Sequence, residues 1–145
     1  AVLTADCLPL LLCSDDGREI AAAHCGWRGL AAGIVSRAVA RFTAKPEAIS
    51  AWLGPAIGPA AFEVGDEVRH AFLAGDPGSA ACFTAGVTGR WLADLFGLTR
   101  RALGATGVSR VYGAGVCTVS DPERLYSYRR DGVCGRMASL IWRVA

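Results

Sequence analysis

Histidine is scarce in this chain. His24 and His70 are the only two in 145 residues. A blue-copper site takes two histidines with a cysteine, and a multicopper oxidase needs many more for its other ions, so copper oxidation is a poor fit. Other features are missing too. No apolar run reaches the ~20 residues of a membrane-crossing helix, and no secretory leader pattern precedes the cysteines. Those six cysteines (Cys7, Cys13, Cys25, Cys82, Cys117 and Cys134) form no C-x-x-C pair. The expectation is a cytoplasmic protein whose thiols are mostly buried and reduced. Net charge is only +2, and no basic stripe carries interleaved aromatics, so no nucleic-acid partner is expected. There is no initiator Met, and Ala1-Val2-Leu3 reads as the middle of a strand, as in a piece of a longer protein.

What is present suits one globular domain over residues 1–145. The chain is 52% hydrophobic, enough for a real core. Leu8 to Cys13 has buried-strand length, Ser14 to Gly17 signals a turn, and Glu19 to His24 reads as the returning strand. Helical spacing runs from Leu30 to Phe42, and Ile49 to Leu53 reads as a strand. Gly54 to Pro59 is a stiff loop, Asp66 caps a helix through Leu73, and Gly75 to Gly89 is the expected mobile loop. Trp91 to Leu103 carries one apolar stripe and predicts a helix. Val108 to Val116, Leu125 to Tyr128 and Met137 to Val144 read as strands, and Asp121-Pro122-Glu123 opens a turn or short helix. The fold class is therefore α/β or α+β, in layers.

Cys7 lies in T-A-D-C and His24 in A-H-C-G-W-R-G. A turn centred between Asp16 and Gly17 pairs His24 with Pro9. Cys7, two residues before Pro9, then points to the same side of the sheet. Diagonal neighbours of this kind lie ~7–8 Å apart at Cα, close enough for both side chains to reach one ion. Pro9 donates no ladder hydrogen bond, so pairing loosens there and a cleft can form. Cys25 should face the interior. The pair suits either a zinc ion or a thiol nucleophile with its base, and the residues alone leave both open.

Two motifs suit anions. Gly26-Trp27-Arg28-Gly29 runs into a helix start, and Arg28 adds charge. Tyr126 to Gly132 and Gly135 to Met137 bring Arg129, Arg130 and Arg136 together with two tyrosines, which suits a phosphate next to a flat base or sugar.

Together the segments Thr4–Pro9, His24–Gly29, Leu53–Pro59, Phe62–Gly65, Cys117-Thr118 and Tyr126–Met137 resemble the laccase-domain or "multicopper polyphenol oxidase" family, whose members are regarded as enzymes of purine nucleoside metabolism. The match covers nearly the whole chain and corresponds to the C-terminal part of a member. The resemblance implies a layered sandwich of mixed sheets with flanking helices. It also implies a mononuclear zinc site with Cys7 and His24 as ligands, and a third ligand, a His, in an earlier segment absent from this sequence. Within these residues Cys117 is the best substitute for that ligand, since His70 falls in mid-helix. The implied reactions are phosphorolysis of adenosine, inosine, guanosine and methylthioadenosine, and deamination of adenosine. Arg28 with Arg129 or Arg130 would hold phosphate against the ribose C1′, and Asp6 would support the site or pass a proton. A Cys–His thiol hydrolase and a structural zinc or interaction domain without activity are the alternatives.

Overall fold

A tight turn organises the first half of the molecule. In the computed structural model, which describes residues 1–113 and 115–144, Gly17 takes φ +69°, a left-handed conformation that costs glycine little. The Ser14 hydroxyl donates to Asp16 Oδ1 at 2.6 Å and accepts from the Glu19 amide at 3.0 Å. The turn joins β2 (Leu8–Ser14) to β3 (Ile20–Cys25), and β1 (Val2–Thr4) precedes them. The register pairs Pro9 with His24 and Leu8 with Cys25, as the turn-centred count predicts. Alternation then sorts the two faces. Leu8, Leu10, Leu12 and Cys25 face the core and are at most 1% exposed. Each such leucine stabilises the fold by about 1.5–3 kcal/mol. Pro9 and His24 belong to the opposite face, and His24 is exposed.

Beyond the hairpin lie α1 (Trp27–Ala31) and α2 (Ile34–Val39). The single helix expected from Leu30 to Phe42 is thus split. Gly33, at φ +81°, takes the left-handed conformation that closes helices, and its amide donates to the Leu30 carbonyl. The chain continues through β4 (Ile49–Leu53), β5 (Glu63–Gly65), α3 (Asp66–Gly75), β6 (Phe83–Ala85), β7 (Arg90–Ala93), α4 (Leu95–Ala105), β8 (Arg110–Tyr112), α5 (Tyr128–Asp131) and β9 (Met137–Ser139).

The strands form three sheets. The largest has the order β3-β2-β4-β8 and is mixed: β2 pairs antiparallel with both neighbours, while β4 and β8 run parallel. A three-stranded sheet, β5-β7-β6, and a two-stranded sheet, β1-β9, are antiparallel. The buried apolar side chains form one cluster between the main sheet and the helices. This is the mixed α/β architecture the sequence implies.

Several elements differ from expectation. The stretch Gly75–Gly89 is largely built structure. Asp76 accepts from the Gly78 amide and the Ser79 hydroxyl, a helical turn spans Pro77–Cys82, and buried Phe83 anchors β6. The helix expected from Trp91 begins at Leu95 instead. Asp94 is its cap, accepting from the Gly97 amide at 2.9 Å, and Trp91 belongs to β7. Asp66 is not a cap; its carboxylate accepts from Trp91 Nε1 at 2.6 Å. Leu125–Tyr128 is no strand, because Ser127 caps α5 by accepting from the Arg130 amide. The expected strands Val108–Val116 and Met137–Val144 shorten to β8 and β9, and Ala114 within the first lies outside the described residues. All six cysteines are free thiols, but only Cys25 is buried and the other five are partly exposed.

Candidate functional site

The open end of the β2–β3 hairpin forms one wall of a cavity of about 380 Å³, within the usual size range of small-molecule sites. Its polar lining is Asp6, Cys7, His24, Arg129 and Arg136. Its apolar lining is Trp27, Ile57, Phe62, Leu95 and Tyr128.

The hairpin register places Cys7 and His24 on this cavity together. Gly26 keeps them there. A Cβ on Gly26 would lie 2.9 Å from Cys7 Sγ and 3.8 Å from His24 Cδ2, so the thiol packs into space that any side chain at position 26 would fill. No hydrogen bond joins Cys7 to His24 among the described residues. Burial pushes the Cys7 thiol pKa up; the neighbouring Asp6 carboxylate adds to the rise and Arg136 opposes it. Left alone, the thiol is therefore held in its neutral form.

Asp6 ties the two walls together. It takes φ +79°, a strained conformation that Asp tolerates better than most residues. Its Oδ1 accepts from the Thr118 hydroxyl at 2.5 Å, and its Oδ2 accepts from the Arg129 amide, in the first turn of α5, at 2.7 Å. Its own carbonyl accepts from the Ile57 amide at 2.9 Å. Thr118 in turn donates its amide to Ala56. Both carboxylate oxygens are thus engaged, and the side chain braces the loop that carries Cys7.

Three residues singled out in the sequence do not line the cavity. Arg28 is exposed, with its guanidinium 4.4 Å from the ring centroid of Trp27. Arg130 spends its guanidinium on the carbonyls of Thr118, Val119 and Leu125 and on the Asp131 carboxylate. It holds the 118–131 segment together and has no donor turned to the cavity. Cys117 forms an isolated bridge with Ala56, and its Sγ accepts from the Gly58 amide at 3.2 Å. Burial raises its pKa, but hydrogen bonds from Ser120 and from the amides of Gly58, Ser120 and Val119 outweigh this and lower it. Neither Cys117 nor the exposed His70 joins Cys7 and His24: among the described residues, no three His, Cys, Asp or Glu side chains are gathered to hold a metal ion.

The apolar lining and Arg136 were the less visible part of the site. Trp27, Phe62 and Tyr128 sit inside motifs whose glycines and charges draw attention first. The available signal was aromatic residues recurring beside them.

Comparisons with known proteins agree with this architecture. Residues 1–144 match the family described as multi-copper polyphenol oxidoreductase laccase. The chain is 52% identical over 144 residues to a protein of Shigella flexneri named purine nucleoside phosphorylase YfiH, covering 99% of this chain and 59% of that one. It is 51% identical over 142 residues to a purine nucleoside phosphorylase of Pseudomonas aeruginosa, covering 97% and 59%. The crystal structure of a Neisseria meningitidis protein superposes with a TM-score of 0.97 at 49% identity, over 99% of this chain and 60% of that one. YlmD from Geobacillus stearothermophilus gives 0.85 at 32% identity, over 92% and 53%. The chain thus spans about three-fifths of the length of the curated relatives it matches. No helix among the described residues is long and apolar enough to cross a membrane. Motif order, fold and overall match agree, and the chain belongs to the multi-copper polyphenol oxidoreductase laccase family.

Proposed function

We propose that this chain carries most of a zinc-dependent purine nucleoside phosphorylase site, and that the native-length protein also deaminates adenosine. The observation behind this reading is one cavity that combines a thiol–imidazole pair, two arginines and an aromatic lining. Relatives named purine nucleoside phosphorylase point the same way.

The donor set fits zinc in kind. Cys7 and His24 supply the sulfur and nitrogen that zinc prefers, and Gly26 leaves the thiol its space. Asp6 is no candidate ligand, since both its oxygens are engaged. The two side chains would fill only part of a zinc coordination shell. Zinc bound there would supply a Lewis acid, which metal centres use to polarise oxygen groups or activate water.

The remaining chemistry rests on this chain's own residues. Trp27, Phe62 and Tyr128 offer flat aromatic surfaces in the cavity lining against which a purine ring would stack. The Arg129 guanidinium lies 5.6 Å from the Phe62 ring centroid and its Nη1 donates to the Glu63 carbonyl, so it sits where base and phosphate would meet. In phosphorolysis a phosphate oxygen bonds to C1′ as the C1′–N9 bond breaks. The purine leaves with the electron pair and takes up a proton from solvent. Arginine holds the phosphate in line and offsets its charge. Asp6 is a positioning residue here, bracing Cys7 and Arg129 at once.

The test is ribose-1-phosphate production from inosine and phosphate by the zinc-loaded, native-length protein, with inosine release from adenosine followed in parallel. Stoichiometric zinc without ribose-1-phosphate would overturn the phosphorylase reading. The competing thiol-hydrolase reading needs a lowered Cys7 pKa, whereas burial raises it. Rapid iodoacetamide labelling of Cys7 in zinc-replete protein would favour the hydrolase; protection of Cys7 by zinc would favour the metal site.

A further inference from the structure

We propose that Arg136, working with Arg129, is the phosphate-binding residue of this cavity. The inference deepens the phosphorylase reading and rests on it for the identity of the anion.

Arg136 immediately precedes β9, and Met137 of β9 pairs with Thr4 of β1, three residues before Cys7. That register brings Arg136 to the cavity that Cys7 lines. The preceding residue is fixed by close packing: a Cβ on Gly135 would lie 2.7 Å from the Tyr126 ring. One edge of the guanidinium is anchored, with Nη1 donating to the Cys134 and Gly135 carbonyls at 2.9 Å each and lying 3.5 Å from Cys134 Sγ. Among the described residues, its Nε and Nη2 have no partner. Arg129 is built alike: Nη1 is anchored on the Glu63 carbonyl, and Nε and Nη2 donate to nothing described.

Of the four arginines in the site motifs, only Arg129 and Arg136 line the cavity. The one carboxylate there, Asp6, has both oxygens engaged by Thr118 and the Arg129 amide, so it does not compete for either guanidinium. Two anchored forks with unspent donors suit a tetrahedral dianion, which guanidinium groups bind through paired charged hydrogen bonds.

The experiment uses the native-length, zinc-loaded protein and inorganic phosphate as the probe. Phosphate binding is measured by calorimetry and the KM for phosphate in inosine phosphorolysis, for wild type, Arg136→Ala, Arg136→Lys and Arg136→Gln. The last keeps the side chain's bulk should the alanine variant fold poorly. Arg41→Ala removes one exposed charge remote from the cavity as a control. Losing a hydrogen-bonded charge contact should weaken phosphate binding and raise its KM on the order of tenfold to a hundredfold. Lysine should recover only part of this, because it lacks the fork. Unchanged phosphate affinity in a folded Arg136→Ala or Arg136→Gln variant would overturn the proposal, as would an equal loss in Arg41→Ala, or a wild type that binds no phosphate. If wild type binds phosphate and loses it on substitution, yet forms no ribose-1-phosphate, the anion site stands and the phosphorylase reading falls.

Discussion

The two walls of the cavity are built in different ways. The hairpin wall is local: one turn and one register bring Cys7 and His24 to the same face. The opposite wall, from Thr118 to Arg136, is long-range. It is joined to the hairpin by Asp6, through contacts 112 and 123 residues apart in sequence, to Thr118 and Arg129. The local wall carries the candidate metal ligands, and the long-range wall carries the arginines and Tyr128. The candidate metal ligands thus depend on the hairpin pairing, and the arginine-bearing wall on the buried Asp6 carboxylate together with the β1–β9 pairing.

Removing the local wall's thiol should have the largest effect. In the native-length protein, Cys7→Ala should abolish stoichiometric zinc and cut phosphorolysis on the order of a thousandfold or more. Metal analysis and initial rates check both. Full zinc and full turnover in Cys7→Ala would erase the functional distinction between the walls.

The link between the walls comes next. Asp6→Ala leaves the Thr118 hydroxyl and the Arg129 amide without acceptors, at about 1–3 kcal/mol each. It also puts alanine in a left-handed conformation, costing roughly 1–2 kcal/mol more. Asp6→Asn tolerates that conformation and keeps one acceptor, so it should lose clearly less. Urea unfolding of the two variants separates the cases. Equal losses would mean that Asp6 does not hold the walls together.

The same contrast explains what could be read from the sequence. The hairpin was legible because a turn signal and period-two alternation fix a register within some twenty residues, and the Pro9–His24 pairing follows by counting. The motif order made the family legible. Helix boundaries were not, wherever an apolar stripe ran through a stop. Ala31-Ala32-Gly33 and Ala93-Asp94 interrupt patterns that otherwise keep helical spacing, and the left-handed Gly33 and the Asp94 cap decided the matter. Arg130 and Arg136 could not be told apart either. Both lie in one basic cluster, and only tertiary structure turns Arg130 onto the carbonyls of Thr118 and Leu125 and Arg136 onto the cavity.

Gly26 gives a smaller, purely steric test of the hairpin wall. Its φ of −70° suits any residue, so Gly26→Ala brings no backbone strain. It brings only a methyl group 2.9 Å from Cys7 Sγ. The expected cost is ~1 kcal/mol of stability from overpacking and roughly tenfold weaker zinc retention from a displaced ligand, measured by thermal unfolding and chelator competition. Unaltered retention would show that the thiol can move without losing the metal.

The smallest effect compares a thiol on the core face of the hairpin with one beside the long-range wall, in metal-free protein. Cys25 faces the core, and burial pushes its pKa up to about 12, with the nearby Cys7 adding to the rise. Cys117 is partly exposed and its pKa is lowered by hydrogen bonds that outweigh burial. At pH 8, iodoacetamide should therefore alkylate Cys117 well before Cys25, which should react only on unfolding. The sign for stability follows from the same shift. The ordinary thiol value is 9.0, so the contribution of neutral, buried Cys25 is fully present below pH 9 and fades as pH rises toward 12. Alkaline unfolding that eases in Cys25→Ala would match that sign. Equal labelling rates for the two thiols at pH 8 would show that the core face of the hairpin opens as readily as the segment around Cys117.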